Sequence, residues 1–440
     1  MYIYEEEIEI PVSQGHEHLI DHLRLSVNER LDGKLLPVRF TITETNRDRY
    51  KCELGVIADI LDESIKHTCS IFDFQKRTST NNTEFNAVLI IPTGIGSSIG
   101  GHAGDANPVA QLMASVCDTL VTHPNVVNAA DINELPDNGL YVEGSIISRL
   151  LMGKVGLQPV RANRVLTIVN EHPDRYFTDA VINSVSAARA SFGMDCPEVI
   201  ELSPPVILES LYATSGRAVG RVTQLDKLIE ILDYYQGSYD AVAFSTQIEM
   251  PFSYHTDYYQ MHGEMINPWG GVEAIFTHSI SSLYDLPTAH APLDSTREIA
   301  NLELGVTDTR MAAEVISAAY FLCVLKGLQR APKIIKDIRF NVPPGVLTAA
   351  DVSCLVIPDG CVGLPTLAAL EQGIPVIAVR ENKNIMKNNL DDLPWQSGQL
   401  HIVENYWEAA GVMTALKGGI LPTAVRRPLV ETKFTRKRND

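Results

Sequence analysis

The sequence predicts an α/β protein, drawn as two Rossmann-like lobes facing a cleft, with a small α+β module at the N-terminus. Three observations lead there. From Ala87 onward, short apolar runs alternate with amphipathic helical patterns, the signature of parallel strands joined by helices. The apolar runs end in glycine or polar residues, which is where open parallel sheets hold their ligands. The turn Leu89-Ile90-Ile91-Pro92-Thr93-Gly94-Ile95-Gly96 returns in weaker form within Leu355-Val356-Ile357-Pro358-Asp359-Gly360-Cys361-Val362-Gly363, one glycine loop for each expected lobe.

Residues 1–84 form the expected α+β module. Ile8, Ile10 and Val12 alternate as a strand does, Val38, Phe40 and Ile42 repeat the pattern, and a helix is expected between His18 and Leu31. The polar run Thr78 to Glu84 marks the boundary. Residues 85–250 make the first lobe, with a Gly-rich loop at 93–105 and a helix opened by Asn107-Pro108. Further strands are expected at Val165–Val169, Glu198–Leu202 and Asp240–Ser245, with helices between them. Residues 251–310 break the rhythm: Phe252, Tyr254, His255, Tyr258, Tyr259, His262 and Trp269 crowd a stretch too aromatic to be disordered, read as a lid or pocket wall. A long helix is expected from Thr309 to Leu328, capped by Thr307 or Asp308, opening a second α/β segment over 311–425. A basic tail, 426–440, closes the chain with Arg426, Arg427, Lys433, Arg436, Lys437 and Arg438, and is read as a solvated end.

Composition narrows the function. With 54 acidic and 36 basic residues the net charge is −18, which repels nucleic acid and anionic membranes. Any anionic ligand is then held by local donors. The seven cysteines are scattered, without a C-x-x-C pair, as expected of buried thiols in a reducing compartment. Cys361, in a glycine-flanked loop, reads as a small apolar filler before it reads as a nucleophile. The acidic opening Glu5-Glu6-Glu7 is unlike a targeting leader, so a cytoplasmic protein is expected. The expected partner is a small, anionic molecule; a homo-oligomer is compatible with the chain, and no cofactor is specified.

The Gly-rich loop supplies the leading site residues. Gly94, Gly96, Ser97, Ser98, Gly100 and Gly101 could line an anion with backbone amides, because glycines allow close approach and the following helix turns its N-terminus toward negative charge. The loop lacks Gly-Lys-Ser/Thr and the dinucleotide register. His102 and Asp105, three apart, read as a general base with an orienting carboxylate or as a hydrogen-bonded cap. Glu143, between Val142 and Gly144, reads as a general acid or base, or as a helix cap; Asn128 stands near the same loop. Asp359, Gly360, Thr366 and Arg380 are the candidates at the second loop, with Arg380 as the fixed positive charge. His278 and His290 could complete a metal site with His102 or Asp105.

Gly100-Gly101-His102-Ala103-Gly104-Asp105-Ala106-Asn107-Pro108, Thr122-His123-Pro124-Asn125-Val126-Val127-Asn128 and Tyr141-Val142-Glu143-Gly144-Ser145 resemble an uncharacterised protein family of cyanobacteria and plants, a domain of unknown function. A weaker resemblance joins Gly100-Gly101-His102 and Thr366-Leu367-Ala368-Ala369-Leu370-Glu371 with Gly373-Ile374-Pro375-Val376-Ile377 to glycosyltransferase B and sugar-nucleotide epimerase proteins. That second resemblance implies a diphosphate-binding site between two lobes. The expected function is therefore an enzyme acting on a small anionic or phosphorylated metabolite, with transferase or isomerase chemistry. A metal-assisted hydrolase using His102, His278 and His290, and a non-catalytic metabolite sensor, are the alternatives.

Overall fold

The computed structural model describes residues 1–12, 18–31, 35–60, 70–261, 263–317, 319–336, 338 and 342–436; Cys69, His262, Lys437 and Arg438 lie outside them. The first three strands are β1 (Tyr2–Pro11), β2 (Leu36–Thr45) and β3 (Arg49–Ala58). Their alternating apolar residues build an antiparallel ribbon in which β3 pairs both neighbours. The helix Leu19–Asn28 buries Leu19, Ile20, Leu23 and Val27. There follow β4 (Asn86–Leu89), β5 (Thr119–Thr122), the short pair β6 (Asn128–Ala129) and β7 (Ile132–Asn133), and β8 (Gly139–Tyr141). Next come β9 (Gly156–Gln158), β10 (Val165–Asn170), β11 (Val199–Leu202), the hairpin β12 (Ile207–Tyr212) and β13 (Ala218–Thr223), β14 (Ala241–Glu249) and β15 (Thr288–Leu293). The last are β16 (Lys333–Ile335), β17 (Val352–Pro358), β18 (Val362–Gly363), β19 (Val376–Val379) and β20 (Leu400–Val403).

The α/β class holds. One sheet has six strands, all parallel, in the order β20-β19-β17-β4-β5-β8. Its central strands β4 and β17 are nearly pure apolar and buried, as a sheet covered by helices on both faces demands. The chain moves outward from β4 through β5 to β8, and outward the other way from β17 through β19 to β20. The loops after β4 and β17 therefore part at the switch point of this sheet, the place where open α/β sheets form a crevice. Both glycine loops thus belong to adjacent strands of one sheet, where the sequence pattern assigned one to each lobe.

The second sheet runs β11-β10-β14-β12-β13-β1-β3-β2-β18, with β15 also paired to β14. Strands β10, β11, β14 and β15 are mutually parallel and alternate with helices, while the rest is largely antiparallel. The N-terminal ribbon is part of this sheet through Ile3 opposite Val222. At its far edge, Val362 and Gly363 pair with Ile42 and Thr41, so the loop after β17 stitches the two sheets together.

Two helical readings change. The stretch 247–310 contains the helices Phe252–Gln260 and Gly270–Tyr284. Gly270 and Gly271 look like loop residues but open the longer helix because a Cβ there would overlap Thr93 and Ala218. Instead of one helix from Thr309 to Leu328, there is a 3-10 turn, Ala312–Glu314, and a helix, Leu322–Gln329. The later start is set by Asp131, whose Oδ1 accepts from the Phe321 and Leu322 amides at 3.1 and 3.0 Å, a cap supplied from a remote loop.

Where the ribbon meets the β12–β13 hairpin, an ion cluster is buried. Arg217, 1% exposed, donates to Glu5 at 2.8 Å and to Glu53, and Arg39 pairs with Glu5 at 3.3 Å. Burial, then the Arg217 charge, pulls Arg39 down to about 10, while the glutamates hold it up. Removing one partner of such a set strands the others. Arg217→Met should lower the free energy of unfolding by roughly 3–5 kcal/mol in denaturant titrations. A loss under 1 kcal/mol would show that the cluster is not holding ribbon and hairpin together.

Candidate functional site

A cavity of about 550 Å³ lies where the carboxyl ends of parallel strands from both sheets converge. From the six-stranded sheet it receives Pro92 and Thr93 after β4, His123 and Asn125 after β5, Glu143 and Ser145 after β8, and Cys361 to Pro365 after β17. From the second sheet come Ile248 at the end of β14 and Leu293 and Asp294 at the end of β15; Arg39 comes from β2. The helix Gly270–Tyr284 forms a wall, presenting Gly270, Glu273, Ala274, Thr277 and His278, a spacing of three and four residues that marks one face. The opposite face, with Val272, Ile275 and Phe276, is fully buried.

Glu143 and His278 form the tightest pair. Glu143 is the N-cap of the helix Gly144–Leu151 and accepts the Ser145 amide at 2.9 Å and the Ser145 hydroxyl on Oε2. Its Oε1 contacts His278 Nδ1. Burial alone would raise the Glu143 carboxyl, but the His278 charge and hydrogen bond, together with Ser145, outweigh it and leave it lowered. A Cβ on residue 144 would come within 2.8 Å of His278 Cε1, so this ring position requires the glycine. Of the two readings of Glu143, the structure shows the helix cap, and it places the other carboxylate oxygen against His278 at the cavity wall.

His123 is the neutral neighbour. Its Nε2 accepts the Ile91 amide at 3.1 Å, which places the ring proton on Nδ1. Burial first, and then nearby His278, lowers it to about 4. Sequence reasoning quoted His123 and Asn125 without assigning them a role, and it passed over Arg39 and Arg217. Asn125 donates to the Ile91 and Gly100 carbonyls at 3.1 and 2.8 Å. Asn128, which lines the cavity, donates to Tyr141 at 2.8 Å.

The Gly-rich loop stands behind the wall. Of residues 93–105, Thr93, Ile95 and Ala103 line the cavity. Gly94 accepts the Ala218 amide at 2.9 Å, the Ser98 amide donates to Lys383 at 2.8 Å, and Gly100 donates to Asp105 at 2.7 Å; Gly96 has Ile266 against it, Gly101 packs on Ser97, and the Ser97 hydroxyl is buried. The Ser98 and Gly100 amides and the Gly94 carbonyl are thus taken up by protein, and this part of the loop acts as a scaffold. At the second loop Thr366 donates to the Cys361 carbonyl, and Asp359 accepts from the Gly360 amide. Arg380 is half exposed and pairs with Glu404 at 3.0 Å. None of Asp359, Gly360, Thr366 and Arg380 is among the cavity-lining residues. The Cys361 thiol is buried and raised by burial, consistent with a packing role.

The three histidines expected at a metal are tied to different partners. His102 Nδ1 meets Tyr258 at 2.7 Å, and His290 meets Glu273 at 2.9 Å and Thr246 at 2.8 Å through its two nitrogens. Among the described residues no three or more of His, Cys, Asp and Glu are grouped to hold a metal ion.

His102 and Asp105 belong to a second buried network. Tyr258 donates to Glu314 at 3.2 Å, and the Ala103 amide also donates to Glu314. Burial, with Asp105 and Glu273 nearby, raises Glu314 to about 8; burial likewise raises Asp105 to about 7 and lowers His102 to about 4. The consequence for stability follows from the sign. Below its ordinary pKa of 4.5, Glu314 is protonated in both folded and unfolded chains. Between there and about 8 the unfolded chain has lost the proton that the folded chain still holds, so stability falls as pH rises. Glu314→Gln, which is always neutral, should match wild type near pH 4 and exceed it by roughly 3–5 kcal/mol at pH 9 in denaturant titrations; equal pH slopes for the two proteins would contradict this.

A family model described as a protein of unknown function, DUF3326, matches residues 86–426. An uncharacterized lipoprotein of Synechococcus sp. is 32% identical over 347 residues, covering 77% of this chain and 92% of that protein. No solved structure matches the chain. The expected likeness to glycosyltransferase B and epimerase proteins finds no support in these matches. No helix among the described residues is long and apolar enough to cross a membrane. The matched span takes in all six strands of the parallel sheet and every loop that it sends to the cavity. This chain belongs to the DUF3326 family.

Proposed function

We propose that the protein is an enzyme that moves a proton on a small anionic metabolite bound in the cavity, with chemistry of the isomerase or transferase kind. The observation that carries this reading is the Glu143–His278 pair at the cavity wall. With Nδ1 engaged by Glu143, the nitrogen left to a ligand is Nε2, the arrangement that orients an imidazole as a general base. His278 takes the proton on Nε2, the lowered Glu143 carboxylate stabilises the resulting imidazolium, and the proton returns to the product from the same nitrogen. Glu143, first read as a general acid or base, here orients, and His278, first read as a metal ligand, here reacts. His123, neutral with Nδ1–H, offers a donor to negative charge developing on an oxygen. Arg39 and Arg217 line the same cavity and supply the positive charge that the second-loop reading sought in Arg380.

A metabolite sensor built on the same cavity is the competing reading, and one experiment separates them. Native mass spectrometry of the gently purified protein identifies a co-purified ligand, which is then assayed for conversion. His278→Asn and Glu143→Gln should hold that ligand within a few-fold of wild type and lose turnover by about 10²–10⁴. A wild-type protein that binds the ligand tightly and never converts it is a sensor.

A further inference from the structure

We infer that the ligand is dipolar, with an anionic group at the Arg39 and Arg217 end of the cavity and an ammonium group at the Asp294, Glu314, Tyr259 and Tyr320 end. This deepens the proposed function and rests on the same cavity. At the first end, Arg217 is 1% exposed and lines the cavity, and its Nε and Nη2 are spent on Glu53 and Glu5. Its Nη1 is buried without a hydrogen-bond partner, and Nη1 of Arg39 has none of good geometry. Arg39 and Arg217 line the cavity, whereas their partners Glu5 and Glu53 do not. A carboxylate or phosphate oxygen is the acceptor that this unspent N–H lacks.

The other end has the opposite deficit. Glu314, 6% exposed, receives both of its hydrogen bonds on Oε1, from Ala103 and Tyr258, and no donor among the described residues reaches Oε2 at the cavity wall. Burial keeps a proton on the group up to about 8, and an ammonium bound there takes that proton's place. Asp294 follows β15 and lines the cavity, and no hydrogen bond from the described residues reaches its carboxyl group. Burial alone raises Asp294 to about 6, and the strongest charged neighbours of Glu314 are themselves acidic, Asp105 and Glu273. Neither carboxyl has the cation that a buried acid ordinarily pairs with. Tyr259 and Tyr320 line the cavity within electrostatic reach of both carboxyls. Two carboxyls and two aromatic rings, short of donors, are the surroundings that an alkylammonium satisfies, by hydrogen bonds and by contact with the ring faces.

The test is calorimetric titration of wild type, Asp294→Asn and Glu314→Gln with 4-aminobutanoate, 5-aminopentanoate and O-phosphoethanolamine. Butanoate, glutarate and 1,4-diaminobutane serve as analogues that carry charge of one sign only. Wild type should bind at least one dipolar probe about tenfold or more tighter than these one-sign analogues, and each substitution should erase most of that preference. Equal binding of dipolar and one-sign probes, no binding of any of the six, or a preference unchanged in both variants overturns the inference. Glu143→Gln, titrated in parallel, should keep the wild-type preference. If it does so and also keeps full turnover, the proton-transfer reading fails while the dipolar one stands.

Discussion

The site depends on one ladder: β4 lies beside β17, parallel, with Ala87 opposite Cys354 and Leu89 opposite Val356. Two strands far apart in the chain are forced into contact, and from that line the sheet grows outward in both directions. The loops leaving the two strands then diverge, and the space between them cannot be filled by a crossover. A ligand cavity at this point follows from topology. The contribution of the second sheet is to close that space, since the loop after β17 is hydrogen-bonded to β2 and brings Arg39 to the wall.

Charge at the wall is held by layers behind it. Arg39 and Arg217 face the cavity because Glu5 and Glu53, on the neighbouring strands β1 and β3, neutralise them from the protein side. Glu143 is lowered because its two oxygens have separate tasks, one capping a helix and the other meeting His278. The cavity-lining carboxyls of Asp294 and Glu314 have no cationic partner among the described residues and are raised by burial. In a chain with net charge −18, the two arginines at this wall are each paired with buried acidic residues.

The parts of the site legible in sequence were those fixed by local pattern. Glu143 stood out because a carboxylate between a strand end and Gly144-Ser145 is either a cap or functional; it is a cap, and it also meets His278 at the cavity wall. The Gly-rich loop was also conspicuous, but its Ser98 and Gly100 amides donate to Lys383 and Asp105, and its Gly94 carbonyl accepts the Ala218 amide. Glycine content reports that backbone passes close to something; it does not say whether that something is ligand or protein. Arg39 and Arg217 gave no signal, because an arginine in an alternating strand or a hairpin turn reads as a solvated residue until its partners on other strands are known.

Sequence by itself determined the α/β class, the identity of the main strands and the acidic character, because these rest on periodicity and composition, which are properties of neighbours along the chain. Only the tertiary structure decided that both glycine loops leave one sheet. It also decided that Asp131 begins the helix at Leu322, and that His278 meets Glu143. These are pairings between residues remote in the chain, whose energy comes from burial and hydrogen bonding that no local window contains.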